Sequence, residues 1–293
     1  MNIEGHAAIV TGGASGLGEA TARELARLGA KVALFDVNLA LAQQVAADIG
    51  AERAIACTCD ITNTDSVAAA LAQAAAAHGP ARILMNIAGI GSAKRVVQKD
   101  GSAAPLEDFA KVINVNLIGS YNISRLFAAA CARLEPLVDG ERGVMMFTAS
   151  VAAFDGQVGQ QAYSASKGGL VGMTLPMARD LAQHGIRVCT VAPGLFATAD
   201  ETAARTGAAV AGGLHSFSVA PGKTRRVCPA RMPYRDQQSS QRRGDPAGRR
   251  LAHGAQVSPN VLHAICAPGH RIAPAPHFPR FPCPFPQPKK ETS

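Results

Sequence analysis

Short apolar runs alternate with stretches of helical periodicity along the first two thirds of the chain. The first run, A-A-I-V-T at 7–11, passes through a glycine-rich turn into a segment whose apolar residues recur at helical spacing as far as Gly29. Similar apolar runs predict further strands at 31–36, 53–59, 82–86, 143–149 and 186–191. The periodic stretches between them predict helices at 39–50, 64–78, 106–133 and 160–184.

This alternation predicts a single α/β domain. Strands joined by helices pair in parallel through right-handed crossovers, which place helices on both faces of the sheet. We therefore expect a doubly wound parallel sheet of the Rossmann type. Ligands of such sheets bind at the carboxyl ends of the strands.

The pattern ends at residue 198. Residues 1–198 hold 15 basic and 16 acidic side chains, whereas residues 199–293 hold 14 and 5, and 13 of the 18 prolines follow residue 198. Neither strand nor helix periodicity continues there, and repeated prolines remove backbone donors. We interpret 1–198 as the globular domain and 199–293 as a largely unstructured basic tail rich in proline and arginine.

The seven cysteines have no regular spacing, which favours reduced thiols over a disulfide framework or a zinc site. No run of 18 apolar residues is present, and the first strand begins almost at Met1, so we expect neither a membrane span nor a cleaved signal. We expect a soluble protein of the cytoplasm, or of mitochondria if the source is eukaryotic.

The glycine-rich turn at the end of the first strand is typical of nucleotide binding. Gly12 and Gly16 can adopt backbone angles closed to other residues and let a pyrophosphate approach the main chain, while Gly18 lets the helix lie close to its strand. The helix N-terminus adds free N–H groups and a partial positive charge. A tight strand-to-helix connection without a ligand is the alternative interpretation.

Asp36 ends the second strand, about 20 residues after these glycines. A carboxylate at this position accepts the hydroxyls of an adenosine ribose and repels a 2′-phosphate, so it favours NAD over NADP. Asp60 and Ile61 follow the third strand, where they would border the adenine. Asn86, Ala88 and Gly89 form a small-residue turn after the fourth strand, which permits close approach of a flat ligand.

Tyr163 and Lys167 are four residues apart in a predicted helix, so their side chains lie on one face, one turn apart. A phenol with an ordinary pKa of about 10 exchanges protons poorly at neutral pH, and a neighbouring cation favours its phenolate. Tyr163 is therefore a candidate general acid/base. Ser150, thirteen residues earlier at the end of an apolar run, can bring its hydroxyl to the same substrate oxygen.

Asn116 is polar within an apolar helix face and must find a hydrogen-bond partner if buried. Two roles stay open for it. The commoner one is a structural hydrogen bond, and the other is a water held behind the Lys167 ammonium for proton delivery. After the last strand, the break at 192–198 places Phe196 and Thr198 where a carboxamide-bearing ring would lie.

Several motifs together resemble the short-chain dehydrogenase/reductases throughout residues 5–198. They are T-G-G-A-S-G-L-G at 11–18, N-I-A-G at 86–89, N-V-N-L-I-G at 114–119, Y-S-A-S-K at 163–167 and A-P-G at 192–194. Residues 148–181 are most similar to the type 2 3-hydroxyacyl-CoA dehydrogenase branch. Ile87 departs from the pattern, because many members of the family have asparagine there.

The resemblance implies NAD-dependent oxidation of a secondary alcohol, most closely 3-hydroxyacyl-CoA to 3-oxoacyl-CoA in fatty-acid metabolism. It implies that Ser150 holds the substrate oxygen, Tyr163 transfers the proton, Lys167 activates Tyr163 and binds the ribose, and Asn116 serves a water relay. The residues implied to bind NAD are Ser15, Leu17, Asp36, Asp60, Ile61, Tyr163, Lys167, Phe196 and Thr198. A homotetramer is implied as well.

The resemblance stops after Thr198. Codons that encode 215–236, read one nucleotide later, can give I-P-F-P-S-R-L-G-K-P-E-E-Y-A-R-L-V-C-H-I-V, which looks like the C-terminus of the family. We hypothesise a frameshift at or shortly after Thr198. The alternative function is then a catalytically impaired product with a basic tail. Arginine pairs in that tail could contact nucleic-acid phosphates, but few aromatic residues separate them, so a nucleic-acid partner is not expected.

Overall fold

A parallel sheet forms the centre of the protein. The computed structural model describes residues 1–194 and the backbone of Phe217–Ser218. The strands are β1 (Ala7–Thr11), β2 (Lys31–Asp36), β3 (Ala54–Thr58), β4 (Ala81–Asn86), β5 (Gly143–Thr148), β6 (Ile186–Ala192) and β7 (Phe217–Ser218). Their order in the sheet is β3-β2-β1-β4-β5-β6-β7. The first six pair in parallel and β7 pairs antiparallel with the end of β6.

Helices connect successive parallel strands. They are α1 (Gly16–Arg27), α2 (Leu39–Ile49), α3 (Thr64–His78), α4 (Leu106–Ile113), α5 (Ser120–Cys131) and α6 (Gln161–Leu181). Asn38 and Asn63 cap α2 and α3, because each side-chain oxygen accepts a backbone N–H of the first turn. The predicted doubly wound α/β fold is confirmed.

The core lies on both faces of the sheet. Along β1, Ala8 and Val10 pack with α1 and α2 residues on one face, and Ile9 packs with α3 and α5 residues on the other. Every residue of β1 is buried. A strand that is covered on both faces has a continuous apolar sequence. This is why apolar and polar residues do not alternate in A-A-I-V-T.

The helix predicted over 106–133 is confirmed as far as Cys131, but it is not a regular α-helix throughout. It consists of α4, a π-helical segment Asn114–Gly119 and α5. Apolar spacing does not distinguish the i→i+4 bonds of an α-helix from the i→i+5 bonds of a π-helix. The latter occur mostly as single turns inside α-helices, frequently at functional sites. At Gly119 a Cβ atom would lie 2.7 Å from Ile61 Cγ1, so the segment packs closely against the turn after β3.

Residues 91–105 form a loop inserted between β4 and α4, which we call the insertion. An antiparallel bridge joins Val97 to Ala103 within it. Lys94 N–H donates to the carbonyl of Gly159 at 2.9 Å, and Lys94 Nζ lies 3.3 Å from Asp108 Oδ2. The insertion is therefore fixed both to the loop before α6 and to α4.

Cys57, Cys59, Cys131 and Cys189 are free thiols, as the irregular spacing predicted. Burial raises the pKa of Cys57 to about 11 and that of Cys131 to about 12. Within residues 1–194, none of the helices is long and apolar enough to cross a membrane. Apart from the backbone of 217–218, the predictions for the basic tail lie outside the described residues.

Candidate active site

A cavity of about 1570 Å³ opens at the carboxyl ends of the strands. It brings together most of the site residues predicted from the sequence, namely Gly12, Ser15, Gly16, Leu17, Gly18, Asp36, Asp60, Ile61, Ala88, Gly89, Ser150, Tyr163 and Lys167. Asn86 and Asn116 are buried behind its wall. Phe196 and Thr198 lie outside the described residues.

The glycine turn after β1 is packed so closely that no side chain fits at Gly12 or Gly18. Gly12 has φ 66°, and a Cβ there would lie 2.9 Å from Ala88 Cα. A Cβ on Gly18 would overlap the carbonyl oxygen of Gly12. The turn therefore brings main chain at Gly12, Gly16 and Gly18 to the cavity at the start of α1, together with Ser15 and Leu17.

The Asp36 carboxylate is oriented by backbone donors. Oδ2 accepts from Ala14 N–H at 3.0 Å, and Oδ1 accepts from Asn38 N–H at 2.9 Å. Each carboxylate oxygen has a further lone pair for a ligand hydroxyl. Asp36 thus joins the end of β2 to the glycine turn and faces the same cavity.

The turn after β3 is fixed by Asp60. Its Oδ1 accepts from both the N–H (2.9 Å) and the hydroxyl (2.7 Å) of Thr62. Ile61 is 6% exposed and contributes an apolar surface to the cavity. A flat apolar ligand edge fits between such a side chain and the strand ends.

Thr11 connects the turns after β1 and β4, and sequence reasoning missed it. Its hydroxyl accepts from both Ile87 N–H and Ala88 N–H at 3.0 Å. Ile87 packs its side chain against the core on the α1/α2 face, so the turn uses its backbone here. The signal available in the sequence was a hydroxyl residue at the last position of β1, directly before the glycine turn.

The Asn86 side chain points away from the cavity. Its Nδ2 donates to Ser124 Oγ of α5 at 3.2 Å, and its buried Oδ1 has no hydrogen-bond partner within the described part of the chain. The cavity is lined instead by the three residues that follow it, 87–89. Any role of Asn86 in binding is therefore exerted through the turn that it begins.

Tyr163 and Lys167 lie on one face of α6, as their spacing predicts. Lys167 Nζ is 5.5 Å from the centroid of the Tyr163 ring and donates to the carbonyl of Thr148 at 2.7 Å. Lys167 is only 4% exposed, and burial lowers the pKa of its ammonium from 10.5 to about 8. Thr148, at the end of β5, was not identified from the sequence because it acts through its backbone.

Ser150 begins the short 3-10 turn Val151–Ala153 that follows β5. Its hydroxyl oxygen accepts from Ala152 N–H at 3.2 Å, and a hydroxyl that accepts in this way can still donate its own hydrogen. Sequence reasoning missed the neighbouring residues that complete this side of the cavity, namely Val151, Phe154, Gln157 and Gln160. They belong to a connecting loop without periodicity, so no pattern marks them.

The Asn116 side chain makes structural hydrogen bonds. Its Oδ1 accepts from Ile90 N–H at 2.8 Å, and its Nδ2 donates to the carbonyl of Ile90 and to Ser166 Oγ, both at 3.0 Å. The first of the two roles considered for Asn116 is therefore present in the structure. The water relay stays a prediction.

Replacing Lys167 with methionine should change the pH dependence of stability. Below pH 8 the ammonium is charged in both the folded and the unfolded state, so its burial cost is fully present. Between pH 8 and 10.5 the folded state loses the proton first, and the wild type gains stability as the pH rises. As the pH rises through this range, the free energy of unfolding of the variant minus that of the wild type should therefore fall. The slope is at most about 1.4 kcal/mol per pH unit.

Urea denaturation at a series of pH values measures this difference. Both proteins carry Tyr163→Phe, because the Tyr163 phenol next to Lys167 would otherwise titrate differently in the two, and the remaining common groups then cancel. Loss of the hydrogen bond to Thr148 adds an offset that does not vary with pH. A difference that stays constant between pH 8 and 10.5 would contradict the assignment of a depressed pKa to Lys167.

Comparison with known proteins identifies the family. Residues 6–208 match the short chain dehydrogenase family. The chain is 48% identical to human 3-hydroxyacyl-CoA dehydrogenase type-2 over 198 residues, which is 67% of this chain and 76% of the human protein. It is 44% identical to the bovine enzyme of the same name over 247 residues, or 84% of this chain and 86% of that protein.

Solved structures agree with this relationship. The crystal structure of 3-hydroxyacyl-CoA dehydrogenase type-2 from Mycobacterium avium superposes with a TM-score of 0.66 at 43% identity, covering 70% of this chain and 80% of that one. A 3-ketoacyl-(acyl-carrier-protein) reductase from Brucella melitensis, complexed with NADH, gives a TM-score of 0.61 at 33% identity, over 68% and 80% of the two chains. The chain therefore belongs to the short-chain dehydrogenase/reductase family of oxidoreductases and is closely related to the type-2 3-hydroxyacyl-CoA dehydrogenases.

Proposed function

We propose that the protein oxidises the secondary alcohol of a 3-hydroxyacyl-CoA to a 3-oxoacyl-CoA with NAD. The observation that carries this proposal is the placement of Ser150, Tyr163 and the buried Lys167 in one cavity with the glycine turn after β1. The names of the human, bovine and Mycobacterium avium relatives support the choice of substrate.

The cavity fits a dinucleotide coenzyme. Glycine at 12 and 18 lets the turn after β1 pack closely on itself and on Ala88, and the start of α1 lines the cavity, where its backbone N–H groups can bind a pyrophosphate. Asp36 offers free lone pairs for ribose hydroxyls, and its negative charge disfavours a 2′-phosphate. Lys167 adds a donor for the second ribose. These features favour NAD over NADP.

The residues of this chain then perform proton transfer and orientation. NAD supplies the acceptor for the hydride that leaves the carbinol carbon. Tyr163 takes the hydroxyl proton, and the Lys167 ammonium, 5.5 Å from its ring, stabilises the phenolate that accepts it. Ser150 donates a hydrogen bond to the same substrate oxygen. In the reverse direction Tyr163 returns the proton.

Purified full-length protein incubated with 3-hydroxybutyryl-CoA and NAD tests the proposal by the absorbance of NADH. We expect turnover with NAD that exceeds turnover with NADP, and no turnover without the acyl-CoA. A secondary alcohol lacking the CoA group serves as a second substrate. If that alcohol is oxidised and 3-hydroxybutyryl-CoA is not, the dehydrogenase activity stands and the proposed substrate is wrong.

Replacing Asp36 with asparagine tests the coenzyme preference. Asparagine keeps an oxygen that can accept from Ala14 N–H but removes the negative charge. Charge-assisted hydrogen bonds contribute about 1.5 to 3 kcal/mol, so kcat/KM for NAD should fall by about ten- to hundredfold, while that for NADP falls less or rises. Asp100→Asn, on the exposed insertion, is the matched control. An unchanged ratio of the two kcat/KM values would refute the role of Asp36.

A further inference from the structure

Ser166 is a buried hydroxyl on α6, three residues after Tyr163 and one before Lys167. Its relative exposure is 0%, and it does not line the cavity, so it touches neither substrate nor coenzyme. Its two hydrogen bonds nevertheless go to Asn116 and to the backbone of Tyr163. The residue is therefore connected to the reacting groups without being one of them.

The direction of these two bonds is fixed by chemistry. Asn116 Nδ2 can only donate, so Ser166 Oγ is the acceptor in the 3.0 Å bond between them. The single O–H of Ser166 is then free to donate to the carbonyl of Tyr163, 2.7 Å away. One hydroxyl thus relays a hydrogen bond from the π-helical segment into the turn of α6 that carries Tyr163.

The Tyr163 carbonyl is shared with Lys167. In an α-helix the N–H of each residue bonds to the C=O four residues earlier, which pairs Lys167 N–H with this carbonyl. The Ser166 hydroxyl adds a second donor to it, and serine bonds of this kind bend a helix slightly. The position of the Tyr163 phenol relative to the Lys167 ammonium therefore depends on Ser166.

The other end of the chain of bonds reaches the cavity wall after β4. Asn116 is held by both the N–H and the carbonyl of Ile90, which lines the cavity after β4. A Cβ on the neighbouring Gly89 would lie 3.1 Å from Asn116 Oδ1 and 3.5 Å from Lys167 Nζ, so the two side chains converge there. Hydrogen bonds thus connect Ile90, Asn116, Ser166 and Tyr163 behind the wall of the cavity.

We propose that Ser166 is a positioning residue that sets the turn carrying Tyr163 and Lys167 against the cavity wall after β4. It acts on the reaction only through Tyr163 and Lys167. The effect on turnover rests on the proposed function, whereas the hydrogen-bonded connection to Ile90 does not.

Ser166→Ala should lower kcat by about ten- to hundredfold, because small misplacements of reacting groups have effects of this size. The KM for NAD should stay within about twofold of the wild-type value. The pH at which kcat is half-maximal should move, because the relative position of the Tyr163 phenol and the Lys167 ammonium changes. Steady-state kinetics over a range of pH measures all three quantities. A purely structural role would lower the amount of folded protein without moving the pH profile.

Ser164→Ala is the matched control. Ser164 is a serine of the same helix, and its buried Oγ makes no hydrogen bond within the described residues. We expect kcat within about twofold of the wild type. Ser166→Thr keeps a hydroxyl that can bond a carbonyl one turn earlier, and it should recover most of the kcat that alanine loses.

A readout without substrate separates this proposal from the proposed function. Ser166→Ala should accelerate hydrogen exchange of the Ile90 amide, which is held by Asn116, whereas Ser164→Ala should not. The proposal is overturned if Ser166→Ala matches Ser164→Ala both in hydrogen exchange of the Ile90 amide and in kcat. It is also overturned if Ser166→Thr is as stable as the wild type yet as impaired as Ser166→Ala, since the added methyl in this buried site can by itself cost stability. If Ser166→Ala does not fold, Ser166→Cys takes its place, because a thiol is a weaker hydrogen-bond donor than a hydroxyl. The same measurements on that variant then support or overturn the proposal.

Discussion

Replacing Tyr163 with phenylalanine should lower kcat by about 10²- to 10⁴-fold, the range that a positioned acid or base contributes. The variant keeps the ring that lies 5.5 Å from Lys167 Nζ but has no proton to exchange. Binding of NADH, measured by its fluorescence, should persist, because the glycine turn and Asp36 are untouched. Turnover of 3-hydroxybutyryl-CoA measures the loss.

The matched control for this prediction is Tyr121→Phe. Tyr121 lies on α5 and is 49% exposed, outside the cavity, so kcat should stay close to that of the wild type. Turnover by Tyr163→Phe at or near the level of Tyr121→Phe would refute Tyr163 as the group that moves the proton.

Replacing Gly18 with alanine should weaken NADH binding by about 10- to 100-fold. The new Cβ would overlap the Gly12 carbonyl oxygen, a backbone atom that cannot rotate away, so α1 and the glycine turn must separate. Overpacking of this kind costs about 1 to 3 kcal/mol, and the displaced main chain is the surface predicted to hold the pyrophosphate. Titration with NADH gives the dissociation constant.

Gly172→Ala controls for the added methyl group. Gly172 lies within α6, and a Cβ there has no neighbour within 4 Å among residues 1–194, so the substitution should leave NADH affinity unchanged and slightly raise stability. Equal affinities of the two alanine variants would show that the closeness of Gly18 to Gly12 is unimportant for binding.

The sequence predicts the sheet well because β1 and β5 are buried at every position and β2 and β4 are buried over four consecutive residues. β1, β2 and β5 appear as unbroken apolar runs bounded by glycine or polar residues, and such runs have few alternative structures. Ends of elements are less certain: the strand predicted at 53–59 spans Ala54–Thr58, and the helix predicted at 160–184 ends as an α-helix at Leu181. Helix ends depend on local hydrogen bonds that hydrophobic spacing does not report.

The site was predictable where a side chain type itself performs the chemistry. Tyr163, Lys167, Ser150 and Asp36 all face the cavity that the sheet order predicts. Thr148 and Ile90 were not predictable, since they act through backbone atoms whose positions any side chain would allow. Ser166 was hidden for a different reason, because its partner Asn116 is 50 residues away along the chain.

The sheet order also constrains how the chain can assemble. β1 lies between β2 and β4, and its pairing with β4 joins Ala8 to Ile83. During synthesis from the N-terminus, β1, β2 and β3 are complete while one side of β1 still lacks its neighbour. Until β4 pairs with it, β1 in this three-stranded intermediate has an apolar, unpaired edge, which makes the nascent chain prone to aggregate.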